Sequence, residues 1–371
     1  SGARRIHHKG ACMSVSVFEH PFLSGLLGNE RLAALFSAAA DIDAMIRFEA
    51  ALAVAEEAAG VIPAGSSAAI AAACDRFDPD LLAMRDATQR DGVCVPELVR
   101  QLRETLDGET APYLHFGATS QDVIDTSLVL RLKSAIGDLR QGMQNLLDQL
   151  SAVDSRFGQH GLMAHTRMQR AIAMRVADKI ANWRRPIQGL CADLDHVAAR
   201  LLRLQFGGAA GTRDLLGDRG AAVAAALART LDLADDGCWH TDRTAIVAFA
   251  DWLSRLTGVL GKIGQDIALM AQNEVADISL SGGGGSSAMA HKQNPVAAEI
   301  LVALARFNAT LVSGMHGTLV HENERSGSAW TLEWMVLPQM VVATGAALET
   351  GTRLTGNIQQ MGSAAEGGAG S

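Results

Sequence analysis

The chain has 371 residues, enough for two or three domains, and a formal net charge of −8, from 32 Lys and Arg against 40 Asp and Glu. This balance disfavours a nucleic-acid-binding protein, because phosphate recognition needs a basic face. Apolar residues make up 48% of the sequence and aromatic residues only 4%, so Ala and Leu supply much of the apolar mass. Because both are strong helix formers, the composition excludes global disorder and predicts an all-α protein packed through small residues.

The sequence carries no pattern typical of export or membrane insertion. No uninterrupted apolar run approaches the roughly 18 residues of a membrane span, so we expect no membrane segment. The five cysteines form no Cys-x-x-Cys pair, which disfavours a disulfide framework or a zinc cluster and fits a reducing cytoplasm. Residues 1–12 lack the apolar core of a signal peptide, and we interpret them as an extension ahead of Met13.

The predicted elements begin with short helices that Gly and Pro separate. One helix covers residues 41–59 and stops before Gly60, a second begins at Asp80, and a third begins near Pro96. Gly and Pro at such places are ordinary helix boundaries. We expect these helices to form an N-terminal domain over residues 13–118.

Beyond this region, apolar residues recur at steps of three and four, which predicts five long helices. The stretches are 121–157, 172–204 (with Pro186 as a kink), 246–270, 295–320 and 330–355. The first would be about 55 Å long, so other helices must bury it, either in a monomeric bundle or in an oligomer that shares one core. The scarcity of polar interruptions favours the oligomer. We expect a central bundle domain over 119–356 and a short tail over 357–371.

The segment at residues 115–126 places several polar groups at the start of the first long helix. They are His115, Thr119, Ser120 and Gln121. A structural cap explains one hydroxyl. Since helix N-termini bind anions through free N–H groups and the dipole, the segment also fits a carboxylate-binding corner, and the two interpretations stay open.

Two further polar segments lie between the long helices. Residues 165–170 contain Arg167 and Gln169, and alone they fit a solvated loop. Residues 321–328 contain Arg325, which suits a bidentate carboxylate clamp, with a surface loop as the alternative. Neither segment carries a His-Glu-x-x-His zinc motif.

The glycine-rich segment at residues 281–295 is the most specific of the four. Four glycines precede a cluster of reactive and polar residues: Ser286, Ser287, Met289, His291, Lys292 and Asn294. A flexible linker is the alternative. A serine near a lysine and a helix start can have its hydroxyl pKa lowered enough to exchange a proton. The segment is not a phosphate-binding P-loop, a dinucleotide fingerprint or a nucleophile elbow.

Together these segments resemble the fumarase/aspartase superfamily over residues 14–356. Residues 285–295 match its signature loop, Gly-Ser-Ser-x-Met-Pro-x-Lys-x-Asn, and residues 119–122 and 166–171 fall where its other shared regions lie. Residues 324–330, with Glu-Arg-Ser-Gly-Ser-Ala-Trp, make the chain most similar to the lactonizing branch of the superfamily.

The resemblance implies a homotetramer with a twenty-helix core, active sites built from three subunits, a small polycarboxylate substrate, and no metal or organic cofactor. It implies that Ser286 handles the proton alpha to a carboxylate and that Lys292 and Asn294 stabilise an enolate-like intermediate. The substrate-binding residues that it implies are His115, Thr119, Ser120, Gln121, Arg167, Gln169, Ser287, Met289, His291 and Arg325.

Two departures from the superfamily pattern refine the expected reaction. Arg167 stands where elimination lyases usually carry a histidine, and Ala290 replaces the signature proline. An arginine suits a reaction whose leaving group is a carboxylate, so we expect a cycloisomerase, which is an intramolecular lyase. The alternatives are an elimination lyase of a succinyl-type substrate and a catalytically silent helical oligomer. The superfamily's third domain is expected to be reduced or absent.

Overall fold

The computed structural model describes residues 15–282, 284–285 and 293–364. These residues form twelve α-helices and three short antiparallel strand pairs. The helices are α1 (Ser24–Leu27), α2 (Glu30–Ala34), α3 (Ala38–Ala58), α4 (Ser66–Cys74), α5 (Leu81–Asp91), α6 (Val95–Arg103), α7 (Ser120–Phe157), α8 (Val176–Leu201), α9 (Gly220–Leu231), α10 (Thr244–Met270), α11 (Val296–Gly317) and α12 (Ser328–Gly356). The strands are β1 (Gly161–Thr166), β2 (Gln169–Arg175), β3 (Ile278–Leu280), β4 (Gly284–Gly285), β5 (Gln293–Asn294) and β6 (Ile358–Met361), paired as β1–β2, β3–β6 and β4–β5.

The five predicted long helices are present as α7, α8, α10, α11 and α12, and their apolar stripes form one core. Small residues let α10 and α11 approach each other closely. A Cβ added at Gly261 would lie 2.5 Å from the Ala305 Cβ, and one at Gly264 would lie 2.5 Å from the Ala298 carbonyl oxygen. The close packing predicted from the composition is therefore confirmed along this helix pair.

The structure corrects the prediction between α7 and α8. The helix expected from residue 172 begins at Val176, and Ile172 lies in β2 with 73% of its surface exposed. The segment 165–170, expected to be a loop, belongs to the β1–β2 hairpin. Arg167 and Met168 form its two-residue turn with φ values of 49° and 65°. Both central residues of a type I′ hairpin turn need a positive φ, which explains this backbone geometry.

A second core lies under the N-terminal helices. It includes α3, α4 and α6, the first turns of α7, and α9 from the part of the chain between the long helices. The face of α3 in this core carries two buried carboxyl groups, Glu49 and Glu56, seven residues apart. Residues seven apart lie on the same side of a helix, so α3 buries both acids together.

The bundle has two ends, which the directions of α7 and α12 define. Trp330 Nε1, near the start of α12, donates a hydrogen bond to Asp125 Oδ1, near the start of α7, at 2.9 Å. Gly356, at the end of α12, lies against Gln149 in the last third of α7. The two helices therefore run parallel and begin at the same end. Since α12 has 29 residues, the ends of the bundle are about 43 Å apart.

The described ends of the glycine-rich segment, residues 281–282 and 293–295, and the hairpin all lie at the far end. The Ser281 amide donates to the Asn357 carbonyl oxygen at 2.8 Å, just after α12 ends. Gly161, in the first strand of the hairpin, exchanges backbone hydrogen bonds with Ser363 at 2.9 Å in both directions. The start of the bundle and the far end therefore carry different predicted site residues.

Helices α11 and α12 are long and apolar enough to cross a membrane by length and composition alone. For α12 this reflects a core position, because 67% of its most apolar stretch is buried inside the fold. For α11 only 22% of the most apolar stretch is buried inside the fold. The helix carries few charged residues, among them Glu299 and Arg306. An apolar surface thus runs along the outside of α11.

Candidate active site

A cleft of about 750 Å³ lies where α7 and α12 both begin. Its polar lining includes Ser120, Gln121, Arg325, Ser326 and Ser328. Two helix N-termini thus turn the positive ends of their dipoles to one space, which Arg325 and Asp91 also line. Such an arrangement attracts carboxylates. Three of the substrate-binding residues predicted from the sequence, Ser120, Gln121 and Arg325, meet here.

The start of α7 is fixed by Asp122, whose side chain is fully buried. Its Oδ2 accepts hydrogen bonds from the Thr119 amide at 3.0 Å and from the Gly208 amide at 2.9 Å, and its Oδ1 accepts one from the Gly207 amide at 2.8 Å. Thr119 is the N-cap residue of α7, with an extended backbone. Asp122 therefore ties the first turn of α7 to the segment after α8, and it holds Ser120 at the cleft.

His240 forms an ion pair with the same carboxylate, that of Asp122. Its Nε2 lies 2.8 Å from Asp122 Oδ1, and only 4% of the residue is exposed. Burial by itself lowers the pKa of His240, but the hydrogen bonds and charges of Asp122 and Cys238 together outweigh it, and the pKa is raised to about 9. At neutral pH His240 is therefore an imidazolium.

The side-chain amide of Gln121 makes its hydrogen bonds within the protein. Its Oε1 accepts a hydrogen bond from Arg325 Nε at 3.0 Å, and its Nε2 donates to the His240 carbonyl oxygen at 2.8 Å and to Asp125 Oδ2 at 3.1 Å. Only 1% of Gln121 is exposed, so its amide is engaged within the protein. Through this contact Gln121 orients the Arg325 side chain, and its predicted role in substrate binding stays a prediction.

Arg325 is held at the cleft from two sides. Besides the contact with Gln121, its Nη2 donates to the Ala209 carbonyl oxygen at 3.1 Å. A guanidinium has five N–H groups, so these two contacts with described residues leave others for a substrate carboxylate. The residue is exposed, as a ligand-binding side chain must be.

Beneath the cleft lies a fully buried charge cluster centred on Arg243. Its guanidinium contacts Asp125 through Nη1 (2.7 Å) and Nη2 (3.1 Å) and Glu333 through Nε (3.0 Å) and Nη2 (2.6 Å). Burial lowers the pKa of Arg243, but the two carboxylates more than reverse this, and the pKa is raised. The cluster links α7, α10 and α12 at the end of the bundle where the cleft lies.

His115 lies on the connection that leads into α7 and is not part of the cleft lining among the described residues. Its Nδ1 is 2.6 Å from Glu49 Oε1, and 16% of its side chain is exposed. Burial lowers the pKa of His115, whereas the charge and the hydrogen bond of Glu49 raise it, and the pKa is raised overall.

The other predicted site residues lie elsewhere. Arg167 and Gln169 are exposed in the far-end hairpin, and Asn294 is in β5 at the same end. Ser286, Ser287, Met289, His291 and Lys292 lie outside the described residues. One chain therefore does not bring all the predicted residues together. Among the described residues, no group of three or more His, Cys, Asp or Glu side chains is placed to hold a metal ion.

Sequence reasoning missed most of the buried groups that support the cleft. These are Glu49, Asp122, Asp125, His240, Arg243 and Glu333. A usable signal was present, because charged residues are almost never fully buried unless paired, and several of these stand inside apolar helical stripes.

Comparison with known proteins identifies the family. Residues 29–307 match the Lyase family. The chain belongs to this family. Two proteins similar in sequence to this chain are named 3-carboxy-cis,cis-muconate cycloisomerase. The relative from Bradyrhizobium diazoefficiens is 37% identical over 335 residues, or 88% of this chain and 74% of the relative. The relative from Pseudomonas aeruginosa is 39% identical over 325 residues, or 85% of this chain and 70% of the relative.

A solved structure in the same family has the same fold. The crystal structure of the 3-carboxy-cis,cis-muconate lactonizing enzyme from Pseudomonas putida matches with a TM-score of 0.85 and 33% identity, over 91% of this chain and 77% of that chain. Together with the family match, this similarity confirms the predicted superfamily and the long-helix bundle fold of this lyase-family chain.

Proposed function

We propose that this chain is a 3-carboxy-cis,cis-muconate cycloisomerase that forms 4-carboxymuconolactone in the breakdown of protocatechuate by the β-ketoadipate pathway. The relatives carry this activity in their names. The observation that carries the proposal is the cleft, where Arg325 and the N-termini of α7 and α12 meet. A substrate with three carboxylates needs such a concentration of positive potential, above all in a chain with a net charge of −8.

The proposed reaction is an internal addition. One carboxylate oxygen of the substrate forms a bond to a carbon of a double bond, and a proton is added to the neighbouring carbon. In this direction Ser286 acts as general acid. Lys292 and Asn294 stabilise the enolate-like charge that develops on the carboxylate next to the protonated carbon. Arg325, Ser120 and, from another copy, Arg167 hold the carboxylate that takes no part in the reaction.

The position of the predicted residues supports a shared active site. Arg325 lies at the start of the bundle, whereas Asn294 and the hairpin residues Arg167 and Gln169 lie at the far end, about 43 Å away by the length of α12. Antiparallel packing of two or more copies would place the far end of one chain beside the cleft of another. We therefore propose a homo-oligomer, and a tetramer by resemblance to the superfamily.

The outer surface of α11 supports the same proposal. Only 22% of its most apolar stretch is buried within one chain, and large exposed apolar surfaces mark association sites. Copies of α11 packed against one another would complete the twenty-helix core. Sedimentation equilibrium should give four times the mass of the chain, and a monomer at micromolar concentration would contradict the proposal.

The activity is tested by mixing the purified protein with 3-carboxy-cis,cis-muconate and following the loss of diene ultraviolet absorbance. Ser286→Ala should abolish the loss without changing the oligomer, and Ser281→Ala, in the same glycine-rich segment, is the matched control. If the wild type consumes adenylosuccinate instead, it is an elimination lyase. If it turns over neither substrate, it is catalytically silent.

Shared sites are tested by complementation. Ser286→Ala and Arg325→Ala should each be inactive alone. When the two variants are unfolded together and refolded as mixed oligomers, some sites receive both intact residues from different chains, and activity should return. A mixture that stays inactive while the wild type recovers from the same treatment would show that each chain supplies a whole site.

We also propose that the protein works in the cytoplasm. The described cysteines Cys74, Cys94, Cys191 and Cys238 are all free thiols, which suits a reducing compartment.

A further inference from the structure

The connection that leads into α7 places a histidine on a buried carboxylate, and this pair has no role in the scheme above. His115 Nδ1 lies 2.6 Å from Glu49 Oε1, a short distance typical of a charge-assisted hydrogen bond. The Glu49 side chain is fully buried, whereas 16% of the His115 side chain is exposed. The histidine thus bridges the N-terminal core and solvent, four residues before the N-cap of α7.

The backbone at His115 is also constrained. Its φ is 62°, in the left-handed region that non-glycine residues seldom adopt. Such a conformation persists only where the surroundings determine it. The contact with Glu49 is one such determinant, because a ring bound at Nδ1 can rotate only with loss of that bond.

We propose that Glu49 is a positioning residue for His115: it binds Nδ1 and fixes the orientation of the ring, so that Nε2 is the ring nitrogen that remains for a substrate carboxylate. This proposal rests on the proposed function for the identity of the substrate. The groups that face His115 are Glu49 on α3, Asp122 on α7 and Arg103 on α6. The two carboxylates favour the imidazolium and Arg103 opposes it, so Glu49 is the contact that decides the charge.

The chain offers a matched control two helical turns further along α3. Glu56 is as deeply buried as Glu49, but its carboxyl oxygens have no hydrogen-bond partner among the described residues. Its pKa is raised to about 9, first by burial and then by the charge of Glu49. Glu56 is therefore neutral at pH 7, and Glu56→Gln removes a buried carboxyl group without removing a charge.

The first experiment measures the His115 pKa without reference to activity. Exchange of the imidazole Cε1 hydrogen for deuterium, read by mass spectrometry across pH, gives the pKa of each histidine in an intact oligomer. In the wild type His115 should titrate above the ordinary value of about 6.5. In Glu49→Gln its pKa should fall, because the charge and the hydrogen bond of Glu49 are lost, and in Glu56→Gln it should not move.

The second experiment links the pair to the substrate. Glu49→Gln should raise the KM for 3-carboxy-cis,cis-muconate about tenfold at a pH one unit above the new His115 pKa, and lowering the pH should restore it. Glu49→Asp, which keeps the charge, should lie between Glu49→Gln and the wild type. A merely structural role would lower stability without shifting the pH profile.

The outcomes separate this proposal from the proposed function. A wild-type His115 pKa below 6.5 overturns the proposal even if no Glu49 variant folds. The proposal is also overturned if the His115 pKa shifts by the same amount in Glu49→Gln and in Glu56→Gln. If the wild type fails to convert 3-carboxy-cis,cis-muconate while the exchange results hold, the proposed function is wrong, and the Glu49–His115 coupling stands.

Discussion

Replacing Glu56 by Gln should change how the stability of the protein depends on pH. Glu56 is fully buried on α3, and neither carboxyl oxygen has a partner among the described residues. Burial, with the nearby charge of Glu49, raises its pKa from 4.5 to about 9. The folded chain thus keeps this proton up to about pH 9, whereas the unfolded chain releases it above about pH 4.5.

The magnitude follows from the proton difference. Between pH 5 and pH 8 the folded state holds one more proton than the unfolded state at this site, so stability falls as the pH rises. Each pH unit costs about 1.4 kcal/mol, which gives a loss of about 4 kcal/mol over three units. Glu56→Gln has no proton to lose, so its stability relative to the wild type should rise by that amount between pH 5 and pH 8. Any fixed cost of the buried amide cancels in this difference.

The assay is urea unfolding at pH 5, 6.5 and 8, at one protein concentration because the stability of an oligomer depends on it. Glu57→Gln is the control. The Glu57 carboxylate accepts hydrogen bonds from the Gly65 and Ser67 amides, which lower its pKa. Glu57→Gln should therefore lower the free energy of unfolding by the same amount at all three pH values. Parallel pH profiles for Glu56→Gln and the wild type would refute the reasoning, because they would mean that Glu56 is ionised in the folded protein.

Three other substitutions test the supports of the cleft. Arg243→Met leaves two buried carboxylates without their cation, and urea unfolding should show a loss of about 3–5 kcal/mol. Gln121→Leu frees Arg325 from its orienting contact, so steady-state kinetics should show a higher KM, by about tenfold, with the oligomer intact; an unchanged KM would show that Arg325 needs no such support. His240→Gln removes a group whose folded pKa is raised to about 9. Its stabilisation, about 3 kcal/mol, is complete below pH 6.5 and fades as the pH rises towards 9, so the wild type and the variant should converge in stability over that range.

The long helices were predictable because each carries its own evidence in a stripe of apolar residues. The stripe from Ile246 to Met270 matches α10 within two residues at the start, since the pattern needs no knowledge of a partner. The β1–β2 hairpin could not be predicted in this way, because its sequence carries no comparable local pattern. Its turn residues, Arg167 and Met168, have positive φ without Gly, Asn or Asp, so the usual turn signal is missing.

The candidate site was predictable only in part, for a related reason. The residues at the cleft stand next to helix starts, where composition alone suggests an anion site. The role of Gln121 was not accessible, because it depends on a contact with Arg325, 204 positions away in sequence. A local sequence pattern can identify a polar residue as a candidate. Only the fold determines whether its hydrogen-bonding groups contact the substrate or other protein groups.

The buried ion pairs near the cleft share one structural effect, which is to fix the position of the first turns of α7. Asp122 binds His240, Asp125 binds Arg243, and both pairs tie the first turns of α7 to the segment just before α10. Buried ion pairs add little to stability compared with apolar packing, because desolvation offsets their attraction. What they provide is a fixed geometry: a side chain bound by several charged groups has one orientation. A carboxylate-binding cleft made of helix N-termini works only if those termini do not move when charge develops on the substrate, since the stabilisation comes from dipoles already in place. Loss of one partner from either pair should therefore weaken transition-state binding as well as the fold.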